Sequence, residues 1–171
     1  MKREMTVRPL DGYEPEVGAA LWRLEDARER TERTLRDVRA EWLDDGTRGN
    51  SIGTILYHLA LIEADWLYAE ILQSPIPGEL AMLLPADDRD TEGILSVVRG
   101  QSPEEHRARL QQVRKRVLDA LRGMDAAEFN RARSLPDYDV TPAWVLHHLA
   151  QHEAEHRGEI GSAIGALRET S

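Results

Sequence analysis

Apolar residues recur at steps of three and four along four segments of this chain, and this spacing constrains its fold most strongly. It places side chains on one face of an α-helix, which has about 3.6 residues per turn. The four predicted helices run from Glu16 to Leu43, from Ile52 to Gln73, from Pro103 to a stop at Gly123, and from Pro142 to Leu167. No segment alternates apolar and polar residues for long enough to predict a strand. We therefore predict an all-α chain, a four-helix bundle with long crossover connections that forms one domain over residues 1–171.

Capping residues mark three of the predicted helix starts. Ser102 precedes Pro103, a pair typical of a cap and a first helical position. Thr141 caps the last helix in the same way, and either Asn50 or Ser51 can cap the second.

Two long connections, residues 74–100 and 124–140, separate the later helices. Short helical turns are predicted at Glu79–Leu84, Thr91–Val98 and Asp125–Phe129. Connections of this length in small helical proteins cross the bundle or cover a site.

Composition excludes several classes of function. The chain has no cysteine, so disulfides, thiolate zinc sites and a cysteine nucleophile are ruled out, and a metal must be held by His, Asp or Glu. The net charge of -9 argues against nonspecific nucleic-acid binding. Met1–Val7 lacks the apolar run of a signal peptide, and no stretch approaches the roughly 18 apolar residues of a membrane span. We expect a cytoplasmic protein without a membrane partner.

Three histidines recur every fourth residue in the last predicted helix: His148, His152 and His156. His152 and His156 continue the apolar face that carries Leu149 and Ile160. A shared metal ion would give both imidazoles a bonding partner. Hydrogen bonds to glutamates, or contact with water at the edge of the bundle, would do the same. His148 with His152 has the same spacing, so periodicity alone does not choose the pair.

The segment from His152 to His156 also matches H-E-x-x-H, the pattern of zinc proteases, with Glu153 as the water-activating base. The surrounding sequence does not support that chemistry. Glu159 and Ser162 stand where an extended protease pattern needs glycine and histidine.

Glycines at 158, 161 and 165 are unusual inside a helix. They would let another helix or a second subunit approach closely, which permits a homodimer, or they mark fraying of the helix.

Two segments resemble the DinB-like (YfiT-like) family of metalloenzymes. NSIGTILYHLA, residues 50–60, is similar to the second helix of that family. TPAWVLHHLAQHEAEHRGEI, residues 141–160, is similar to its fourth helix, whose usual signature is H-x-x-x-H-R-G-Q-[IL]. Here Glu159 replaces the common glutamine.

The resemblance implies a three-histidine site made by His58, His152 and His156, which would hold a divalent transition metal such as zinc or nickel. Without the resemblance, His58 would be interpreted as a core residue whose ring nitrogens are hydrogen-bonded within the protein. The resemblance also implies an S-transferase that joins a thiol cosubstrate (bacillithiol, mycothiol or glutathione) to a small-molecule substrate. Four glutamates are candidate bases or supports for the ligands: Glu63, Glu153, Glu155 and Glu159. Of these we predict Glu153 and Glu155 as catalytic.

Three other functions stay open at this point. One is a metal-dependent amide or ester hydrolase, and another is a non-enzymatic, stress-related metal-binding bundle. The third is a structural bundle whose histidines bind nothing.

Overall fold

The structure, a computed structural model, describes residues 4–47 and 49–170. Within these ranges there are six α-helices, and the strands are two residues long, β1 (Arg133–Ser134) and β2 (Asp139–Val140), paired antiparallel. The predicted all-α class is confirmed. None of the helices in these ranges is long and apolar enough to cross a membrane.

Four of the helices are long. They are α1 (Pro15–Thr34), α2 (Ile52–Asp65), α4 (Pro103–Leu121) and α6 (Pro142–Thr170), whereas α3 (Gly78–Ala81) and α5 (Ala126–Phe129) are single turns. α1 packs along α6, and α2 packs against both α4 and α6. Fully buried aliphatic side chains of the four long helices form the core: Val17, Leu21, Leu24, Ile52, Ile55, Val113, Val117, Leu121, Val145, Leu146 and Ile160. His58, His152 and His156 lie where α2 and α6 face each other.

The predicted caps are confirmed. The side chain of Ser51 accepts a hydrogen bond from the Thr54 amide, and Thr141 Oγ1 accepts one from the Trp144 amide. Ser102 and Glu105 form a reciprocal capping box at the start of α4. These side chains satisfy amides that have no partner within the helix.

Two local predictions were wrong. α1 ends at Thr34 rather than at Leu43, and a short 3-10 turn (Ala40–Trp42) follows. The chain turns there so that Leu43 is buried and its carbonyl accepts a hydrogen bond of 2.8 Å from the Gly53 amide. The segment Thr91–Val98 is not helical; it forms a loop closed by an isolated bridge and by a hydrogen bond between the Asp90 amide and the Ile94 carbonyl.

The second predicted helix reaches almost as far as expected, but its last part is a π-helical turn, Trp66–Ile71. The Leu72 amide donates to the carbonyl of Leu67, five residues earlier, at 2.9 Å. Such turns are rare and occur frequently at functional sites. Arg48, between the first two predicted helices, lies outside the described residues, as do the first three residues of Met1–Val7.

A buried group of four charged residues ties the long helices together, one from each. Arg28 of α1 binds Glu153 of α6 through Nε at 2.7 Å and Glu63 of α2 through Nη2 at 2.8 Å. Arg114 of α4 binds Glu63 through Nε at 2.6 Å and through Nη2 at 2.9 Å. All four side chains are nearly inaccessible to solvent. The group places two positive charges against two negative ones, so burial leaves no unpaired charge.

Replacing a glycine by alanine should have opposite effects on stability in α1 and in α6. A Cβ on Gly18 would lie 2.9 Å from the Leu10 carbonyl oxygen, so the backbone before α1 would have to move. A Cβ on Gly161 would meet nothing within 4 Å, which shows that no helix of the described chain packs there. We expect Gly18→Ala to lower the free energy of unfolding by about 1–3 kcal/mol. Gly161→Ala should raise it by about 0.5–1 kcal/mol, because alanine favours a helix.

Urea unfolding of the two variants beside the wild type measures both effects. A gain in stability of Gly18→Ala contradicts the packing described for Gly18, and a loss in Gly161→Ala contradicts the open space described for Gly161.

Candidate metal centre

Three imidazoles meet between α2 and α6. His58 comes from α2, and His152 and His156 come from successive turns of α6. His152 Nε2 lies 3.0 Å from His58 Nε2 and 3.1 Å from His156 Nε2. The three potential ligand nitrogens all lie within 4.8 Å of one another. The structure thus brings together the three residues that were predicted as metal ligands.

Burial keeps two of these rings, those of His58 and His152, in the form that can bind a metal. It lowers the pKa of His58, although the nearby carboxylate of Asp88 acts in the opposite direction. Burial, together with the charges of His156, His58 and His148, lowers the pKa of His152 to about 3. His58 and His152 are therefore neutral at pH 7, and each can offer a nitrogen lone pair.

Carboxylates lie against the outer nitrogens of two of these rings. His58 Nδ1 is 2.6 Å from Asp88 Oδ1, and His156 Nδ1 is 3.2 Å from Glu159 Oε1. Neither contact has the angles of a hydrogen bond. The negative charge at Nδ1 nevertheless favours the tautomer that keeps the proton on that nitrogen and leaves Nε2 free to bind a metal. Asp88 was not predicted from the sequence. It lies in the connection after α3, and nothing in its local sequence distinguishes it from its acidic neighbours.

The donor set fits a divalent transition metal. An imidazole nitrogen makes one hydrogen bond, as a donor or as an acceptor, so His152 Nε2 cannot satisfy both of its neighbours. A cation among the three nitrogens would satisfy all of them. Metal–nitrogen bonds of about 2.0–2.1 Å in a tetrahedral site separate neighbouring nitrogens by about 3.3 Å, close to the two short separations here. Zinc and nickel both suit imidazole ligands.

His148 does not join this group, although it has the same spacing along α6. Its ring packs against Trp66 and Trp144, with centroid distances of 4.3 Å and 5.1 Å. Its centroid lies 6.0 Å from that of His152. The structure therefore favours His152 with His156 over His148 with His152.

The two predicted catalytic glutamates lie in different surroundings. Glu153 is 1% exposed, and its carboxylate belongs to the buried charged group with Arg28 and Arg114. Glu155 is exposed and accepts a hydrogen bond of 2.9 Å from Gln151. Neither forms a hydrogen bond with the three histidines in the described part of the chain. Their catalytic role stays a prediction.

Sequence reasoning also missed the buried arginines. Arg28 stands one turn after Leu24 on the apolar face of α1, and Arg114 stands one turn after Leu110 in α4. A charged residue at an otherwise apolar position was the available signal.

Replacing Asp88 by asparagine should weaken metal binding about 10- to 100-fold, because the carboxylate behind His58 orients that ligand and raises its basicity. Titration calorimetry on metal-free protein measures the affinity directly. Asp87→Asn is the matched control, since Asp87 is the exposed neighbour and should leave the affinity unchanged. Equal affinities of the two variants would show that Asp88 does not support His58.

A sequence model of the DinB superfamily matches residues 23–160 of the chain. The matched range includes all three histidines and Asp88. No curated protein matches the chain.

Proposed function

We propose that this chain, which belongs to the DinB superfamily, is a metal-dependent enzyme that joins a low-molecular-weight thiol to an electrophilic small molecule. The observation that carries the proposal is the convergence of three imidazoles from α2 and α6. Three protein ligands leave coordination positions open, which is typical of catalytic rather than structural sites. Bacillithiol, mycothiol and glutathione are the candidate thiols.

The chain has no cysteine, so a sulfur nucleophile has to come from a cosubstrate. A divalent ion, when bound, would supply positive charge that favours the thiolate over the thiol. The residues of the chain provide the rest. His58, His152 and His156 would hold the ion, and Asp88 and Glu159 would orient two of those rings through their Nδ1 atoms.

The surroundings of the two candidate bases favour Glu155 as the one that holds a proton during the reaction. Both oxygens of Glu153 face arginines, with Oε1 2.7 Å from Arg28 and Oε2 3.5 Å from Arg114. Protonating such a carboxylate would break a buried ion pair. Glu155 carries no such cost, because it is exposed and accepts its hydrogen bond from the neutral side chain of Gln151.

Metal content and thiol binding test the proposal in that order. Elemental analysis of untagged protein should find zinc or nickel close to one ion per chain, or metal-free protein should take up one equivalent on titration. Calorimetry on metal-loaded protein should then show saturable binding of one of the three thiols, within the range of about 1 μM to 1 mM usual for substrates.

His152→Ala is the control for both measurements, since it removes the ligand that contacts the other two. If metal binds and none of the thiols does, the chain is a metal-binding bundle and the transferase proposal is wrong. If no metal binds at all, the metal centre itself is rejected.

A further inference from the structure

A cavity of about 470 Å³ opens beside the metal centre. It lies where the π-helical turn after α2 meets β2 and the start of α6. Three aromatic rings and one carboxylate are among its lining residues: Trp66, Tyr138, Asp139, Val140, Thr141 and Trp144. Two of the rings are open to solvent, with Tyr138 46% and Trp144 48% exposed. Exposure of two large aromatic side chains at one cavity is costly unless a ligand covers them.

One ring separates this cavity from the three histidines. Trp66 and Trp144 stack with their centroids 5.5 Å apart and their planes 27° from parallel. His148 packs against both, nearly parallel to Trp144 at 9°. On its other side, His148 lies 6.0 Å from His152. A ligand seated in the cavity would therefore lie close to the metal centre without touching its ligands.

One carboxylate lines the cavity, and three others lie near the Tyr138 hydroxyl at its edge. Asp139 lines it, and Glu70 Oε1 accepts a hydrogen bond of 2.6 Å from the Tyr138 hydroxyl. That hydrogen bond, with the charges of Glu70, Asp65 and Asp137, raises the pKa of Tyr138 to about 12. Among the described residues, no arginine, lysine or histidine forms an ion pair with any of these four carboxylates.

Glu70 gives an independent sign that a partner is missing. The residue is only 6% exposed, and its second oxygen, Oε2, is buried without a hydrogen-bond partner in the described chain. The two other buried glutamates, Glu63 and Glu153, both form ion pairs with arginines. A buried, unpaired carboxylate oxygen costs free energy that a cation close by would reduce.

We propose that this cavity binds an organic ammonium group. Aromatic faces attract cations through the ring quadrupole, and tryptophan does so most strongly. Asp139 and the carboxylates near Tyr138 add charge complementarity for a cation and would repel a carboxylate or phosphate. The further step, that the ammonium group belongs to the substrate or thiol that reacts at the metal, rests on the proposed function.

Choline and its neutral isostere 3,3-dimethylbutan-1-ol test the cavity, because the two differ in charge and hardly in shape. Binding to the metal-loaded full chain can be followed by calorimetry and by tryptophan fluorescence. We expect saturable binding of choline and binding of the alcohol at least about tenfold weaker. Ethanolamine, which carries a primary ammonium group, distinguishes a preference for methylated from unmethylated cations. Equal affinity for choline and the alcohol, or no saturation by either cation, overturns the proposal.

Two variants locate the site. Trp144→Leu removes an exposed ring, and Asp139→Asn removes a charge without changing shape, so neither should disturb folding. Each should weaken choline binding about fivefold or more. Trp22→Leu in α1, a tryptophan outside the cavity, is the control and should bind choline like the wild type. Unchanged binding in both cavity variants also contradicts the proposal.

The thiol titration in the same samples separates this inference from the proposed function. Thiol binding without choline binding rejects the ammonium site alone. Choline binding without thiol binding supports the ammonium site and rejects the transferase.

Discussion

His152→Ala is expected to weaken metal binding by on the order of a thousandfold or more, well beyond the 10- to 100-fold usual for residues that only support a ligand. The reason is geometric. His152 Nε2 is the nitrogen that lies about 3 Å from both other Nε2 atoms, so its loss leaves two imidazoles on different helices. Titration of metal-free wild type and variant with zinc and with nickel measures the effect.

His148→Ala is the matched control for this substitution. It removes an imidazole one turn earlier on the same face of α6, where the ring packs on Trp66 and Trp144. Metal affinity should stay within a few-fold of the wild type, an estimate that follows from its place outside the ligand group. If His148→Ala lost binding and His152→Ala kept it, the choice of ligand pair would be wrong.

Glu63→Gln should lower the free energy of unfolding by about 3–5 kcal/mol, the cost of removing one partner from a buried ion pair. Glu63 accepts hydrogen bonds from both Arg28 and Arg114, and the amide can replace neither the charge nor all four acceptor sites. Two buried guanidinium groups would then share Glu153 as their remaining buried carboxylate partner. Such a loss is a large part of the about 5–15 kcal/mol that stabilises a typical protein. Urea unfolding at pH 7 measures it.

Glu29→Gln is the control for Glu63→Gln, because Glu29 makes an exposed ion pair with Arg33 one turn away. Exposed pairs of this kind contribute little, so the unfolding curve should hardly move. Comparable losses from the two variants would show that the buried group does not hold the helices together.

Acid should destabilise the wild type by protonating the Glu63 carboxylate. Burial alone would raise the pKa of Glu63, but the charges and hydrogen bonds of Arg114 and Arg28 outweigh it, so its pKa is lowered. Its contribution to stability is therefore present above the pKa of about 4.3 of an unfolded glutamate and is lost as the pH falls through the lower folded value. In Glu63→Gln, this part of the pH dependence of the free energy of unfolding should be absent.

The helices and their caps could be predicted because their causes are local. Ser51, Ser102 and Thr141 bind amides only three residues away, and the apolar stripes repeat within one or two turns. The end of α1 could not be predicted in this way. The stripe continues through Val38 and Trp42, and the chain leaves the helix because Leu43 contacts the start of α2.

The candidate metal centre was predictable in part. His152 and His156 share a face of one helix by spacing alone, and the family resemblance implied His58. No local pattern indicated that Asp88 contacts His58, or that the aromatic rings of Trp66, Tyr138 and Trp144 line a neighbouring cavity.

The sequence by itself determined that this protein is helical, where most of its helices start, and which face of the last helix carries two imidazoles. Only the tertiary structure decided which distant side chains meet those elements. His58 and His152 are 94 residues apart along the chain, and Arg28 and Glu153 are 125 apart. Helix periodicity and capping act over about four residues, so they predict the direction of a side chain along its own helix. The partner that it reaches depends on how the helices pack, and packing is a property of the whole chain.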